Sequence, residues 1–316
     1  MKPRWISETD VAAERVAGSF PPFGDPLADR DGKIAQVLAK TRITPLWATE
    51  WQCRKGWSVG PRIMSFCVWF VLPDNQGWVR LPRERKIMRS NPGDLILLPE
   101  GIEHAVGLSG AGKMRQLAGH FKADVFGSIN LLELLGFPVL IPSSKDAPFQ
   151  ASAERMVREY AVKAPGWQNA MSAELTNLLL YVVRERGHLF HPLRFANAYE
   201  LMPKIMPVLE KIEKNLPDHT LSPSRLAGQT HISAAALRKL FKIVTGMPPA
   251  TFIQRCRVDK ACEMLRFTRE GIKEIAVACG FAELNFFYRV FKRWTGMTPA
   301  NFRGKTSGRP HGFETL

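Results

Sequence analysis

The sequence predicts an α+β chain of two domains, with a β-rich N-terminal half followed by helices and an all-α C-terminal third. Three observations lead there. From about Thr41 to His120, short apolar runs are broken by Gly, Pro and Asn/Asp, the texture of a sandwich or barrel. After Lys122 the apolar spacing becomes helical. Finally, Phe241–Phe252 recurs fifty residues later as Phe291–Phe302, with eight of twelve positions identical. A chain of 316 residues, 45% hydrophobic, has the apolar area for two cores and is not a disordered composition.

In chain order, residues 1–40 read as an arm, with a Pro/Gly-rich stretch at Phe20–Pro26 and a short helix at Asp31–Ala39. Residues 41–145 hold the strands, among them Ile63–Leu72, a turn at Asp74–Gly77 and Asp94–Leu98. Residues 146–202 form a helical connector, with helices at Phe149–Lys163 and Trp167–Arg186. Pro192 and Arg194–Asn197 read as a linker. Residues 203–303 read as short helices, and 304–316 as a tail.

The longest apolar run, Ile63–Leu72, is ten residues, where a membrane-spanning helix needs about 20. The first residues lack the apolar stretch of a secretion signal. Cys53, Cys67, Cys256, Cys262 and Cys279 form no close pair, which excludes a CxxC site, argues against a disulfide framework and suits a reducing cytoplasm. The net charge of +15 is unevenly placed, since residues 201–316 carry 19 Lys+Arg against 9 Asp+Glu. That asymmetry points to a polyanion partner for the C-terminal domain.

Each copy of the repeat closes a helix–turn–helix unit. In the first, Ser222 caps a helix opening at Pro223, Gln229–Ile232 turns, and Ser233 caps a helix from Ala234 to Val244 that stops at Gly246. In the second, Ile272–Cys279 is followed by the Gly280 turn and a helix over Glu283–Trp294. Pro249–Arg266 connects them as one long helix of about 27 Å. Leu237, Leu240 and Phe241 point inward, as do Phe287, Val290 and Phe291. The opposite faces carry Ala235, Arg238, Lys239, Leu284, Asn285, Tyr288 and Arg289, side chains that can read base edges or touch a thymine methyl. Lys242, Arg255, Arg257, Lys273, Lys292 and Arg293 suit phosphates.

Residues 204–303 resemble the DNA-binding domain of the arabinose-regulator (AraC/XylS) family of bacterial transcription factors. The resemblance is carried by Leu226-Ala227, Ser233, Leu237, Phe241-Lys242, Thr245-Gly246, Pro249, Arg257–Ala261, Leu265, Ile275-Ala276, Cys279–Phe281, Phe287, Arg289–Lys292, Gly296, Pro299 and Phe302-Arg303. It implies a seven-helix domain whose two recognition helices enter adjacent major-groove segments. Two departures stand out: Phe286-Phe287-Tyr288 replaces a single aromatic among smaller or polar residues, and Lys239 stands where Arg is common, keeping the charge but losing the planar fork.

In the N-terminal half, Gly93-Asp94 through Pro99-Glu100-Gly101 to His104 resembles the second signature of the cupin barrel. Gly119–Asp124 and Leu131–Pro138 resemble the sensor domains found in the same regulators. Metal-binding cupins supply a His-x-His pair and a Glu earlier in the chain, but Ser65–Arg80 contains no histidine. His104 alone is no metal site, because a metal needs three or four ligands. No cofactor, metal or catalytic constellation is expected. His104 and Trp69 are the candidates for an effector pocket. The Leu175, Leu178, Leu179 and Val182 stripe is the candidate dimer contact, with intradomain core as the other reading.

The expected protein is a cytoplasmic, effector-controlled transcriptional regulator, not an enzyme. A cupin-like β-barrel with helices would sense a small molecule, and two helix-turn-helix motifs joined by a long helix would bind promoter DNA. The resemblance favours activation over repression and implies RNA polymerase and a second copy as partners. Two alternatives remain open: a cupin-type enzyme with an appended DNA-binding module, and a dimeric regulator that binds no ligand.

Overall fold

A computed structural model describes residues 32–82, 85–109 and 114–307. The Pro/Gly-rich stretch and most of the expected arm and tail lie outside them. The chain divides into two compact units, one of residues 1–35, 43–123 and 130–195, the other of residues 36–42, 124–129 and 196–316.

The first unit contains two β-sheets. The first sheet has the order β1 (Thr41–Cys53), β8 (Met114–Val125), β3 (Cys67–Val71), β6 (Leu95–Leu98) and β10 (Leu140–Ile141), with β9 (Ile129–Asn130) pairing to β8. The second has the order β2 (Ser58–Ile63), β7 (Glu103–Ser109), β4 (Gln76–Leu81) and β5 (Lys86–Ser90). Val68, Phe70, Ile96, Leu98 and Ala118 of the first sheet share one core with Val79, Leu81 and Val106 of the second. The sheets therefore stack face to face.

A closed barrel is not what forms. Among the described residues no strand of one sheet pairs with a strand of the other, and β1, β10, β2 and β5 are edges. Closure would need backbone hydrogen bonds all the way round. Here the chain passes from sheet to sheet between β1, β2, β3 and β4, and again between β5, β6, β7 and β8, and the inner faces meet through side chains. Pro61, which has no N–H to donate, suits the edge strand β2, whose pairing with β7 is irregular between Val59 and Arg62.

The two sheets differ in what covers them. β3 is buried at every position, whereas β4 alternates. The outer face of the first sheet is covered by helices: α3 (Phe149–Val162) packs on β3 and forms a hairpin with α4 (Trp167–Glu185). Two shorter helices, α1 (Lys33–Ala39) and α2 (Leu131–Leu135), complete this part of the chain. Asp94, buried at the start of the signature segment, accepts hydrogen bonds from the backbone N–H groups of Asn91 and Ser143, both at 2.8 Å.

The expected linker at Pro192 and Arg194–Asn197 is instead part of α5, a single helix over Pro192–Lys214. Proline suits the first turn of a helix, where its missing N–H has no partner to lose. Pro203 and Pro207 sit inside the helix and forfeit two backbone donors. Burial of Met202, Ile205, Val208, Leu209 and Ile212 on one face offsets that loss.

The second unit continues with α6 (Pro223–Thr230), α7 (Ala234–Thr245), α8 (Pro249–Phe267), α9 (Ile272–Ala278), α10 (Leu284–Thr295) and α11 (Pro299–Ser307). Arg257, buried in α8, donates from Nε to the Leu216 carbonyl (3.2 Å) and from Nη2 to the Asp218 carbonyl (2.8 Å). Gly280 closes over this contact with φ of 83°, and a Cβ there would overlap the Leu216 carbonyl. Position 280 thus excludes side chains on both backbone and packing grounds.

Inside the sandwich, His104 on β7 is fully buried and donates from Nδ1 to the Ile102 carbonyl (2.9 Å). His120 on β8 lies between the rings of Trp47 and Phe66, with centroids 4.8 and 4.3 Å away. Burial, then the charge of Arg62, then His104, push the His120 imidazole from 6.5 down to about 4. Burial also lowers His104.

Arg257→Met should cost about 2–4 kcal/mol in urea unfolding, because two half-buried carbonyls lose charge-assisted donors and a buried guanidinium is removed; a cost near zero would contradict that role. The unfolded chain takes up a proton at His120 before the folded chain does, so the folded state is favoured by neutrality there. That contribution, about 3 kcal/mol at most, is complete above the unfolded pKa and is lost as pH falls from 6.5 towards 4. Urea midpoints should drop across this window, and His120→Gln should flatten the decline. An equally steep decline in the variant would assign it to other groups.

Candidate nucleic-acid interface

The sequence repeat is a repeat of contacts. In α7, Leu237, Phe241 and Val244 are buried, the Ser233 hydroxyl accepts from the Ala236 N–H (3.2 Å), and Gly246 ends the helix in the left-handed region. In α10, Phe287, Val290 and Phe291 are buried and Gly296 ends the helix in the same way. Thr245 Oγ1 lies 2.8 Å from the Phe241 carbonyl and 3.2 Å from that of Met247, and accepts from the Met247 N–H at 3.3 Å. Thr295 repeats this with Phe291 and Met297 at 2.8, 2.9 and 3.3 Å. Phe241 meets Phe252 edge-on with centroids 5.5 Å apart, as Phe291 meets Phe302.

Burying one stripe fixes which side chains face outward. On α7, Ala235, Arg238, Lys239 and Lys242 are exposed. On α10, Leu284, Asn285, Arg289, Lys292 and Arg293 are exposed. Lys273 is exposed on α9. Tyr288 differs from its expected outward placement: it is half-buried against the second core, its ring 5.9 Å from that of Phe287.

Two of the cations expected at phosphates are engaged elsewhere. Arg257 is the buried anchor described above, and its guanidinium is spent on backbone carbonyls rather than presented to solvent. Arg255 is half-buried, donates to Asp259 (3.3 Å) and lies over the Trp294 ring at 5.1 Å. Asp259 also accepts from the Ser128 hydroxyl at 2.8 Å. A helical sequence count places both arginines in a basic run but does not show that one faces the core.

Phe286, which the sequence marks only as part of an unusual aromatic run, has a contact that the run does not suggest. The Arg289 guanidinium lies 5.3 Å from its ring centroid, a cation–π contact that restrains the long side chain. The i, i+3 spacing on one helix was the available signal.

The other candidates are not brought together. Trp69 lies against Gly119, its register partner across β3 and β8, while the neighbouring pair Val68 and His120 faces the sandwich interior with His104. Trp69 therefore points to the outer face of the first sheet, away from the sandwich interior that holds His104. A cavity lined by Trp57, Phe70, Leu72, Ile96 and Val106, among others, has about 10 Å³, no more than one water needs. Leu175, Leu178, Leu179 and Val182 are at most 1% exposed within the single chain, so their stripe is core and leaves nothing for a second copy. Among the described residues no group of three or more His, Cys, Asp or Glu converges, and no helix is long and apolar enough to cross a membrane.

Comparison with known proteins adds relationship to this geometry. A family described as a helix-turn-helix domain matches residues 226–305. The transcriptional activator RhaR of Pectobacterium carotovorum is 40% identical over 75 residues, 24% of this chain and 26% of its own length, so the chain spans about a quarter of that relative. The activator RclR of Escherichia coli, named as specific for RCS, is 22% identical over 245 residues, 76% of this chain and 85% of its own. Among solved structures, fatty-acid-bound ToxT of Vibrio cholerae aligns over 86% of this chain and 98% of its own, with 11% identity and a TM-score of 0.42. Residues 226–305 therefore form a helix-turn-helix domain of the arabinose-regulator (AraC) type, similar to that of the activators named above.

Proposed function

We propose that the protein is a sequence-specific DNA-binding transcriptional regulator, acting in the cytoplasm as an activator under the control of a small molecule. The observation that carries the proposal is the duplicated substructure, in which two helices with two corresponding buried positions (Leu237/Phe287 and Phe241/Phe291) and the same glycine end-cap each turn a polar, basic face outward. On this reading α6–α7 and α9–α10 are two helix-turn-helix units, joined by α8. Arg238, Lys239, Asn285 and Arg289 read base edges, with Ala235 and Leu284 against thymine methyls. Lys242, Lys273, Lys292 and Arg293 contact phosphates. The domain reading places DNA binding in 203–303 and sensing in 41–145, with the helices of 146–202 supporting the sensor. A ligand with different affinity for two arrangements of the chain would shift the population competent to bind DNA.

Selection of duplexes from a random pool by the intact protein tests the reading. Two short blocks about one helical turn apart are expected. Absence of any enriched sequence would overturn base reading. On the selected site, Arg289→Ala should weaken binding by about 1–3 kcal/mol and relax one position, whereas Lys292→Ala should weaken selected and random duplexes alike. Affinity should fall with salt at a log–log slope near −0.9 for each phosphate neutralised. A salt-independent complex would rule out the phosphate assignment.

A further inference from the structure

The outer face of the second sheet is built unlike the rest of the first unit. On it, Trp78 and Arg80 of β4 stand opposite Arg89 and Ile87 of β5 in register, and Trp78 also stands opposite Gly107 of β7. A Cβ on Gly107 would overlap the indole, so the ring lies down over the glycine backbone. Beside it opens a depression of about 350 Å³ lined by Trp78, Arg80, Ile87, Arg89 and Ser109. Ile87 is 59% exposed, and Arg80 and Arg89 are exposed with no acidic partner among the described residues.

We propose that this depression binds a small planar aromatic oxyanion, its ring on the Trp78 indole and its carboxylate or phosphate on Arg80 and Arg89. Each part of the site matches one part of such a ligand. Guanidinium forks hold carboxylates and phosphates in bidentate geometry. An indole face favours an offset-stacked ring, and Ile87 supplies apolar contact at its edge. The Ser109 hydroxyl offers a further donor at the rim. A second copy of the same face would set arginine against arginine, which disfavours self-association there. The proposal deepens the effector part of the reading above by giving the ligand a place and a chemistry. It places the site on the outer face of the second sheet rather than between the sheets.

Calorimetric titration of the intact protein without DNA separates this proposal from the DNA-binding reading. The probes are 2-naphthoate for a carboxylate source and AMP for a phosphate source, each against its neutral counterpart, 2-naphthamide or adenosine. Saturable binding of at least one anion, with its neutral counterpart much weaker, is expected. Arg80→Gln and Arg89→Gln should each weaken it by about tenfold or more, since each removes a charge-assisted contact. Both side chains are exposed, so the fold should survive, and Arg158→Gln on α3 serves as a charge-matched control. The proposal is overturned if neither anion binds saturably, if both arginine variants bind as the parent does, or if the control loses as much as they do. Anion binding without DNA selectivity would leave this site standing and remove the regulator reading.

Discussion

The side of the molecule proposed to face DNA depends on complete burial of one aromatic residue in each candidate recognition helix, Phe241 in α7 and Phe291 in α10. An amphipathic helix of twelve residues has few ways to pack, and a fully enclosed phenyl ring with an edge-on partner removes most of them. Once Phe241 is seated on Phe252, and Phe291 on Phe302, the angular position of every other side chain on each helix is set. The exposed arginines, lysines and asparagine are therefore positioned by residues that never touch a ligand.

This explains why the C-terminal domain was legible in the sequence. Caps, turns and the i, i+3, i+4 spacing are local, and they appear twice, so each copy checks the other. Arg257 was misread because its role is non-local: nothing in the spacing of α8 shows that the chain after α5 brings two carbonyls to it. The helix α5 was missed for a different reason. Pro192, Pro203 and Pro207 are strong local breakers, and only the buried stripe from Met202 to Ile212, on the other side from Pro203 and Pro207, shows that packing prevails.

In the N-terminal half the sequence conveyed strands but not their partners. The turns around Gly93 and Gly101 were readable, yet whether β6 and β7 continue one sheet or step between two depends on pairing at a distance. The same limit separated Trp69 from His104, since adjacent β3 positions face opposite sides and only the register with β8 says which. The stripe on α4 was correctly recognised as apolar. Its burial within one chain follows from the hairpin with α3 and from what that hairpin covers.

The threonine at the end of α7 and of α10 gives the duplication a practical meaning. Thr245 and Thr295 hold the amides of Met247 and Met297 with matching distances. In hydrogen-exchange measurements these two amides form an internal pair, alike in chemistry and in local bonding. A difference in their protection would report the surroundings of the two units rather than the caps themselves. The molecule thus carries its own reference for how unequally its two halves are stabilised.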